Sequence, residues 1–394
     1  MKVFQINRYF EHKGGTEASM LELAAALEER GHQVGFIYHH RTAKTLSLPN
    51  CSFYHVPVLE AQIWPNAWRL AQLARVIQRE RPDVVLLQNV FNLWAVLLLS
   101  WLAPVVRFVR GHEMYCIEPD KTAGRFSEGC SIPHSYICIS NCRQDLWYPL
   151  RIALYLYRKA EIRVNQGVES LVVTSHYMKS NLLVNGFHEE KIEVLAPFVS
   201  LAPAGPPPSS RRIALFVGRL EEIKGTRLLP EIAGLLPNGA KLMVAGDGEL
   251  RGEFLESVSK AGLKDRLVFR GWLDRKELLQ AYAEAQVVVF PSILEEPFGR
   301  VGIEALAMGR PVVAFDVGGV RDWLTHGETG FLVPRGDVQK LAEFTSLLLE
   351  NGDLASKMGR KGHERVRTFF DREQAVSRLE QILTTAIQSW RRRT

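Results

Sequence analysis

The sequence predicts an α/β protein made of two doubly wound, parallel-sheet domains, and three observations carry that expectation. Short apolar runs of about four to six residues alternate with helical patterns along the whole chain, the mark of βαβ units. One Pro-rich stretch, Ala202-Pro203-Ala204-Gly205-Pro206-Pro207-Pro208-Ser209-Ser210, breaks the pattern near mid-chain. The length of 394 residues suits two or three domains at roughly 150 residues each.

The first strand is read at Met1 to Ile6, followed by a Gly14-Gly15 turn and a helix on which Met20, Leu23, Ala24 and Leu27 recur at helical spacing until Gly31 stops it. Strands continue at Val34 to Tyr38, Pro82 to Leu87, Val105 to Val109 and Leu171 to Thr174. The Pro-rich stretch cannot donate ladder bonds and is read as a linker over 201–210. It separates a domain at 1–200 from one at 211–370. Strands resume at Ile213 to Val217, Lys241 to Ala245, Leu267 to Phe269, Val287 to Phe290 and Pro311 to Phe315. Over 371–394, Val376, Leu379, Leu383, Ile387 and Trp390 share one face of an amphipathic helix. That helix either packs on the second domain or crosses back to the first.

Composition narrows the function. With 46% hydrophobic and 23% charged residues, the chain is neither disordered nor fibrous. The 49 Lys and Arg against 43 Asp and Glu leave a net charge of +6, too little to argue for nucleic acid, which is not expected as a partner. The same charge suits anionic phosphates or an anionic membrane surface. Five cysteines are no disulfide scaffold. A strand beginning at Met1 leaves no room for a signal peptide. The apolar run from Leu93 to Val106, interrupted by Ser100 and Pro104, is short of the roughly 20 residues that span a bilayer. A cytoplasmic protein is expected.

The segment from Phe290 to Gly309 holds the strongest chemical signal. A buried strand ends at Pro291, a loop carries Glu296, Pro297 and Phe298, and a helix runs from near Gly299 to Gly309. The helix start offers free amides and a positive dipole end to an anion, and Gly299 lets a phosphate approach the backbone. Glu304, about 8 Å along the helix, could accept from ribose hydroxyls, and Glu296 could meet a sugar. Both could also be ordinary solvated carboxylates. A second segment, Gly218-Arg219-Leu220-Glu221-Glu222-Ile223-Lys224-Gly225, sets two cations in a loop at a strand end, where ligands of α/β sheets bind. Arg219 and Lys224 could neutralise a departing diphosphate without a metal, and no Asp-x-Asp pair follows an apolar strand.

At this point the chain resembles a retaining glycosyltransferase of the GT-B family called family 4, or glycosyltransferase group 1. The likeness spans nearly the whole length and rests on Gly14-Gly15-Thr16, His112, Gly218-Arg219 with Lys224-Gly225, Ala245-Gly246-Asp247-Gly248, and the Glu-x7-Glu spacing of Glu296 and Glu304. It implies a GT-B fold, two Rossmann-like domains facing a cleft that holds a UDP- or GDP-sugar donor. Carried over, Arg219 and Lys224 would bind the diphosphate, Glu304 the ribose, and Glu296 the transferred sugar, with the amides of Phe298, Gly299 and Arg300 nearby. The base would pack at Gly271-Trp272-Leu273, unless Trp272 is only a core or lid aromatic. Gly14 and Gly15 would close over the diphosphate or the acceptor pocket, and His112 would sit beside the anomeric centre. Glu113 stands where the family more often has Asp. The implied reaction is retaining, metal-independent transfer of a hexose to a saccharide or lipid-linked glycan in polysaccharide or glycolipid biosynthesis. The alternative is an inactive sugar-nucleotide or glycan-binding protein of the same fold. A Rossmann oxidoreductase is disfavoured, because Gly14-Gly15 is no Gly-x-Gly-x-x-Gly fingerprint.

Two features of the first domain stay open. Cys116, Cys130, Cys138 and Cys142 could hold a structural zinc or remain reduced thiols. The segment Trp147 to Lys159 mixes aromatics with Arg151 and Arg158, which with Arg143 are read on one helical face. It either lies on an anionic membrane, making the enzyme peripheral on the inner face, or is a core helix with a solvated basic edge.

Overall fold

A computed structural model describes residues 1–10, 15–41, 51–57, 65–118, 121, 130–199 and 212–393. The chain divides into two compact units, Met1–Pro197 with Glu373–Thr394, and Phe198–Arg372. The Pro-rich stretch read as a linker lies outside the described residues, as does Gly14.

The first unit runs β1 (Lys2–Phe10), α1 (Gly15–Glu29), β2 (Gln33–Arg41), β3 (Ser52–His55), α2 (Ala67–Glu80), β4 (Val84–Leu87), α3 (Leu93–Leu102) and β5 (Val105–Val109). It continues with α4 (Ile137–Asn141), α5 (Tyr148–Asn165), β6 (Ser170–Val173), α6 (His176–Val184) and β7 (Ile192–Val194). Its seven strands form one parallel sheet in the order β3-β2-β1-β4-β5-β6-β7. Strands β4, β5 and β6 are buried at every position, which is why they read as near-continuous apolar runs, broken only by Arg107 and Ser170, rather than alternating ones. The apolar run from Leu93 divides into α3 and β5, and no described helix is long and apolar enough to cross a membrane. Side-chain caps set several helix starts: Asn66, Asn92 and Ser175 accept from the backbone N–H three residues on. Gly15, read from sequence as part of a turn, instead opens α1.

The second unit runs β8 (Ile213–Val217), α7 (Leu229–Leu235), β9 (Lys241–Ala245), α8 (Arg251–Lys260), β10 (Leu267–Gly271), α9 (Arg275–Glu284) and β11 (Val287–Phe290). Then come α10 (Arg300–Ala307), β12 (Val312–Phe315), α11 (Val320–Trp323), β13 (Gly330–Val333), α12 (Val338–Glu350) and α13 (Gly352–Phe369). Its six parallel strands are ordered β10-β9-β8-β11-β12-β13. Both units are therefore doubly wound α/β sheets, as the alternation of apolar runs predicts.

The last helix, α14 (Arg372–Arg393), belongs with the first unit. Val376, Leu379, Leu383 and Ile387 are buried, and polar bonds line the rim. Arg30 donates to Glu373 and Glu380 at 2.7 and 2.6 Å, His32 lies 2.7 Å from Glu380, and Arg393 pairs with Glu169 at 2.9 Å. Burial opposes the charge on Glu380, but the hydrogen bonds from His32 and Arg30 outweigh it and hold its pKa below the ordinary value.

The basic face read from Trp147 to Lys159 is rearranged. Arg143 precedes α5 and pairs with Asp145 at 2.9 Å, while Arg158 turns inward to Glu161 at 2.5 Å. Glu161 is itself buried beside Arg107 at 3.7 Å. Only Arg151 of the three remains with α5's outer aromatics, stacked over Tyr148. The cause is the interior: a buried Arg107 needs a carboxylate, and Glu161 in turn takes Arg158.

A carboxylate whose folded pKa is lowered contributes stability above its unfolded value, about 4.3, and loses it as pH falls through the lowered folded value. Glu380→Gln should therefore speed amide hydrogen exchange in α14 at pH 7. The difference from wild type should shrink to nothing as pH falls below that window, when both side chains are neutral.

Candidate functional site

In a doubly wound sheet the loops leaving the carboxyl ends of the strands diverge where the strand order reverses, and ligands bind in that crevice. In the second unit the reversal falls between β8 and β11, which pair directly. The β8 loop carries Arg219 and Lys224, and the β11 loop carries Ser292 and Glu296.

The two loops meet there. Lys224 Nζ donates to Glu296 Oε1 at 2.5 Å, and the same oxygen lies 2.7 Å from Ser292 Oγ. The backbone N–H groups of Ile293 and Leu294 both bond to the carbonyl of Ile223, at 3.0 and 3.1 Å. Glu296 is only 4% exposed, so its negative charge is tolerated because Lys224 and Ser292 replace the lost water. Arg219 does not join them. Its half-exposed guanidinium pairs with Glu221 at 2.6 Å. An exposed pair of this kind holds its partners by about 0–1 kcal/mol, so Arg219 can exchange Glu221 for another anion at little cost.

The neighbouring Glu295 has a different task. Arg335 donates to it at 3.0 Å and the Gly318 amide at 3.1 Å, tying the loop to its surroundings. Behind the loop, Trp323 is fully buried and its indole N–H donates to the Phe298 carbonyl at 2.5 Å. The Phe298 ring is buried against Phe370, so neither its side chain nor its carbonyl is what a ligand would meet. Gly299 precedes α10 with φ +92, and no side chain caps that helix end. The first amides of a helix have no acceptor within it. A glycine is needed at 299 for its left-handed backbone, and a Cβ there would come within 3.1 Å of the Phe290 ring.

Glu304 lies on α10, bonded by Arg300 at 2.9 Å and within 3.4 Å of the Tyr282 hydroxyl. Burial pushes the Tyr282 hydroxyl well up, and the Glu304 charge adds to it, so Tyr282 stays a neutral donor. The β8 and β9 loops pack backbone to backbone: Gly246 has φ +146, and a Cβ there would run into the Gly218 carbonyl. Trp272 is 63% exposed on the loop after β10, an edge strand, so it is no core residue, and Leu273 beside it is half-buried.

In the first unit the reversal lies between β1 and β4. Buried Gln5 and Gln88 are 3.3 Å apart there, and Arg110 donates to Gln88 at 2.8 Å. His112 follows β5, is 1% exposed, and has its Nδ1 2.6 Å from the Tyr115 hydroxyl. The structural zinc considered from sequence for the four cysteines finds no support in the structure. Among the described residues no three His, Cys, Asp or Glu side chains are set to hold a metal. Cys138 and Cys142 pack with Ile117, Leu154 and Tyr155, and Cys130 turns its thiol to the Ile132 carbonyl.

The structure thus joins Lys224 to Glu296 and Arg300 to Glu304, and leaves Arg219 with Glu221. Sequence reading missed Ser292, Tyr282, Trp323 and Arg335. Ser292 had a signal, a hydroxyl at a strand end four residues before Glu296. Trp323 and Arg335 come from distant segments and had none.

Residues 13–202 match the family described as Glycosyltransferase Family 4, and residues 201–365 match that described as Glycosyl transferases group 1. The chain is a family 4, group 1 glycosyltransferase. Among its relatives, N-acetyl-alpha-D-glucosaminyl L-malate synthase from Bacillus anthracis is 23% identical over 94% of this chain and 93% of that protein. Lipopolysaccharide core biosynthesis glycosyltransferase LpsE from Rhizobium meliloti is 30% identical over 45% of this chain and 51% of that one. The crystal structure of Anabaena Alr3699/HepE in complex with UDP superposes with a TM-score of 0.74 and 17% identity, covering 98% of this chain and all of that one. Each unit of this glycosyltransferase is thus a Rossmann-like domain of the GT-B fold.

Gly299→Ala forces a side chain into a left-handed conformation worth about 1–3 kcal/mol. Urea denaturation should show a stability loss of that order. A change under about 0.5 kcal/mol would mean the backbone at 299 is not constrained as described.

Proposed function

We propose that this glycosyltransferase transfers a hexose from a UDP- or GDP-sugar to a saccharide or lipid-linked glycan, with retention at the anomeric carbon and without a catalytic metal ion. The observation that carries the reading is the Lys224–Glu296 pair, set at the strand-order reversal in the same loop that leads into the uncapped start of α10. A diphosphate at that helix start gains from the dipole and from the first backbone N–H groups of the helix. Lys224 supplies a point charge, and Arg219 leaves Glu221 to grip phosphate oxygens. As the bond to the sugar breaks, negative charge grows on the diphosphate; Lys224, already held in place, stabilises it without reorganisation, and Arg219 adds its charge once it has left Glu221. The leaving phosphate takes the acceptor's proton on the face from which it departs.

Glu296, oriented by Lys224 and Ser292, accepts from hydroxyls of the transferred sugar, and Glu304 accepts from the ribose. Trp272, exposed beside Leu273, is available to the base. Gly14, Gly15 and His112 take their roles from the family motif, with Tyr115 holding the His112 ring. Relatives named for lipopolysaccharide core biosynthesis and the UDP complex of HepE support a cell-surface glycan product and a uridine donor.

Thermal-shift screening against UDP-, GDP- and ADP-sugars identifies the donor, since a ligand of the native state raises its melting temperature. With that donor, Arg219→Ala and Lys224→Ala should each lower kcat/KM by about 100-fold or more, the cost of losing one preorganised charge contact, while the circular dichroism stays unchanged. Near wild-type turnover in either variant would sink the assignment. NMR of the product should show the donor's anomeric configuration. Donor binding with neither transfer nor hydrolysis would instead favour an inactive binding protein.

For a lipid-linked glycan acceptor, we propose that the enzyme is peripheral on the inner face of the membrane. Trp147, Tyr148, Leu150 and Leu156 on and just before α5 are all about half or more exposed, and Arg151, Lys159 and Arg163 stand among or after them. Apolar side chains beside basic ones suit an anionic bilayer surface. The protein should float with anionic liposomes at low salt and be released by high salt. No flotation at low salt would remove the membrane reading.

A further inference from the structure

The chain turns sharply after β5, and that turn brings a phenol to the His112 ring. The His112 carbonyl accepts from the Tyr115 amide at 3.1 Å and from the Cys116 amide at 2.8 Å. Residues 112 and 115 therefore share one side of the turn, and the Tyr115 hydroxyl lies 2.6 Å from His112 Nδ1. Both side chains are buried. The Tyr177 ring of α6 stands perpendicular to the imidazole, with the ring centres 6.0 Å apart.

Which group owns the hydrogen in the 2.6 Å contact decides what His112 can do. A neutral imidazole carries one hydrogen, and the bond made at one nitrogen selects which nitrogen keeps it. The phenol also has one hydrogen, and it has two neighbours: His112 Nδ1 and the Met178 sulfur at 3.5 Å. Either the phenol donates to Nδ1, or Nδ1–H donates to the phenol oxygen while the phenol donates to sulfur.

Three observations favour the first arrangement. The 2.6 Å separation is shorter than the usual N–H···O range of about 2.7–3.2 Å and falls where O–H donors lie. A thioether is a weak acceptor, and Met178, fully buried on α6 with its amide bonded to the Ser175 hydroxyl, stands at the longer distance. Burial pushes the Tyr115 hydroxyl well above its ordinary pKa, with Tyr177, Cys116 and Glu113 adding to the rise, so the phenol keeps its proton.

We propose that Tyr115 is a positioning residue that fixes the tautomer of His112, so that His112 meets the transferred sugar as a hydrogen-bond donor. The phenol donates to Nδ1, the imidazole is neutral, and its single ring hydrogen is on Nε2, which gives it to a sugar oxygen. His112 is then no base for the transfer, because its one basic lone pair, at Nδ1, is already taken by the phenol. The sugar contact rests on the transferase reading above, and it agrees there with the leaving phosphate taking the acceptor's proton.

The test reads the ring directly, in the full chain labelled with nitrogen-15 histidine, without donor, at pH 8. Long-range proton–nitrogen correlation separates the two tautomers, and the His112 signals are the set missing from the His112→Gln protein. Wild type should show a protonated Nε2 and an unprotonated Nδ1. Tyr115→Phe keeps the ring and removes the hydroxyl, so the Nδ1 resonance should move downfield as its lone pair loses the donor. In the same variant kcat should fall about 3- to 10-fold, the worth of one hydrogen bond, with the donor's KM within about twofold. Met178→Leu conserves volume and should leave both the tautomer and kcat unchanged. An Nδ1–H ring or an imidazolium in wild type would overturn the assignment. So would a Tyr115→Phe protein with the wild-type Nδ1 shift or the wild-type kcat, or a Met178→Leu protein whose ring switches tautomer. Failure of the transferase reading looks different: the wild-type ring shows the assigned tautomer, yet no sugar is transferred.

Discussion

Parallel strands buried on both faces impose one constraint on each unit, and much of the site follows from it. Such strands cannot be joined by tight turns, so a connection leaves at a carboxyl end and crosses back to the other edge, in most cases through a helix. Polar loops therefore collect along one edge of each sheet, and they part only where the strand order reverses. In the second unit that edge brings residues 223–224 and 292–296, some 70 positions apart in sequence, into one hydrogen-bonded group. The loops hold their places through backbone contacts, Gly246 against Gly218 and Ile293 against Ile223, and through the Trp323 indole behind Phe298.

The charges within this frame are graded by burial. Glu296 is enclosed and bonded by a lysine and a hydroxyl, so its geometry is set in advance. Arg219 is exposed and weakly paired, so it can move. A site that handles a diphosphate benefits from both, since fixed groups cost no reorganisation and a mobile cation can follow the anion in. The same grading appears in the first unit. Arg107, Glu161 and Arg158 are sealed in the interior and serve the fold, while α5's outer aromatics stay in solvent.

Legibility in the sequence follows burial too. Strands β5, β8, β9 and β11 coincide with the apolar runs Val105–Val109, Ile213–Val217, Lys241–Ala245 and Val287–Phe290. These interior strands are apolar at nearly every position, Arg107 in β5 and Lys241 in β9 being the exceptions, and such a run is visible without a partner. The strands that sequence reading missed, β3, β7 and β13, are all sheet edges of three or four residues. Their conformation depends on a neighbour's ladder rather than on their own pattern.

For the site, sequence alone determined which residue types stand at strand ends and helix starts. Arg219, Lys224, Glu296, Gly299 and Glu304 were legible because local chemistry and spacing make them so. Only the tertiary structure decided who pairs with whom: Lys224 with Glu296 rather than with Arg219's ligand, Trp323 with the Phe298 carbonyl, and Arg158 with the buried Glu161. Each of those outcomes turns on a contest between burial and partner that is settled in three dimensions. A buried charge takes the nearest group able to satisfy it, and nearness across the fold is not written in local spacing.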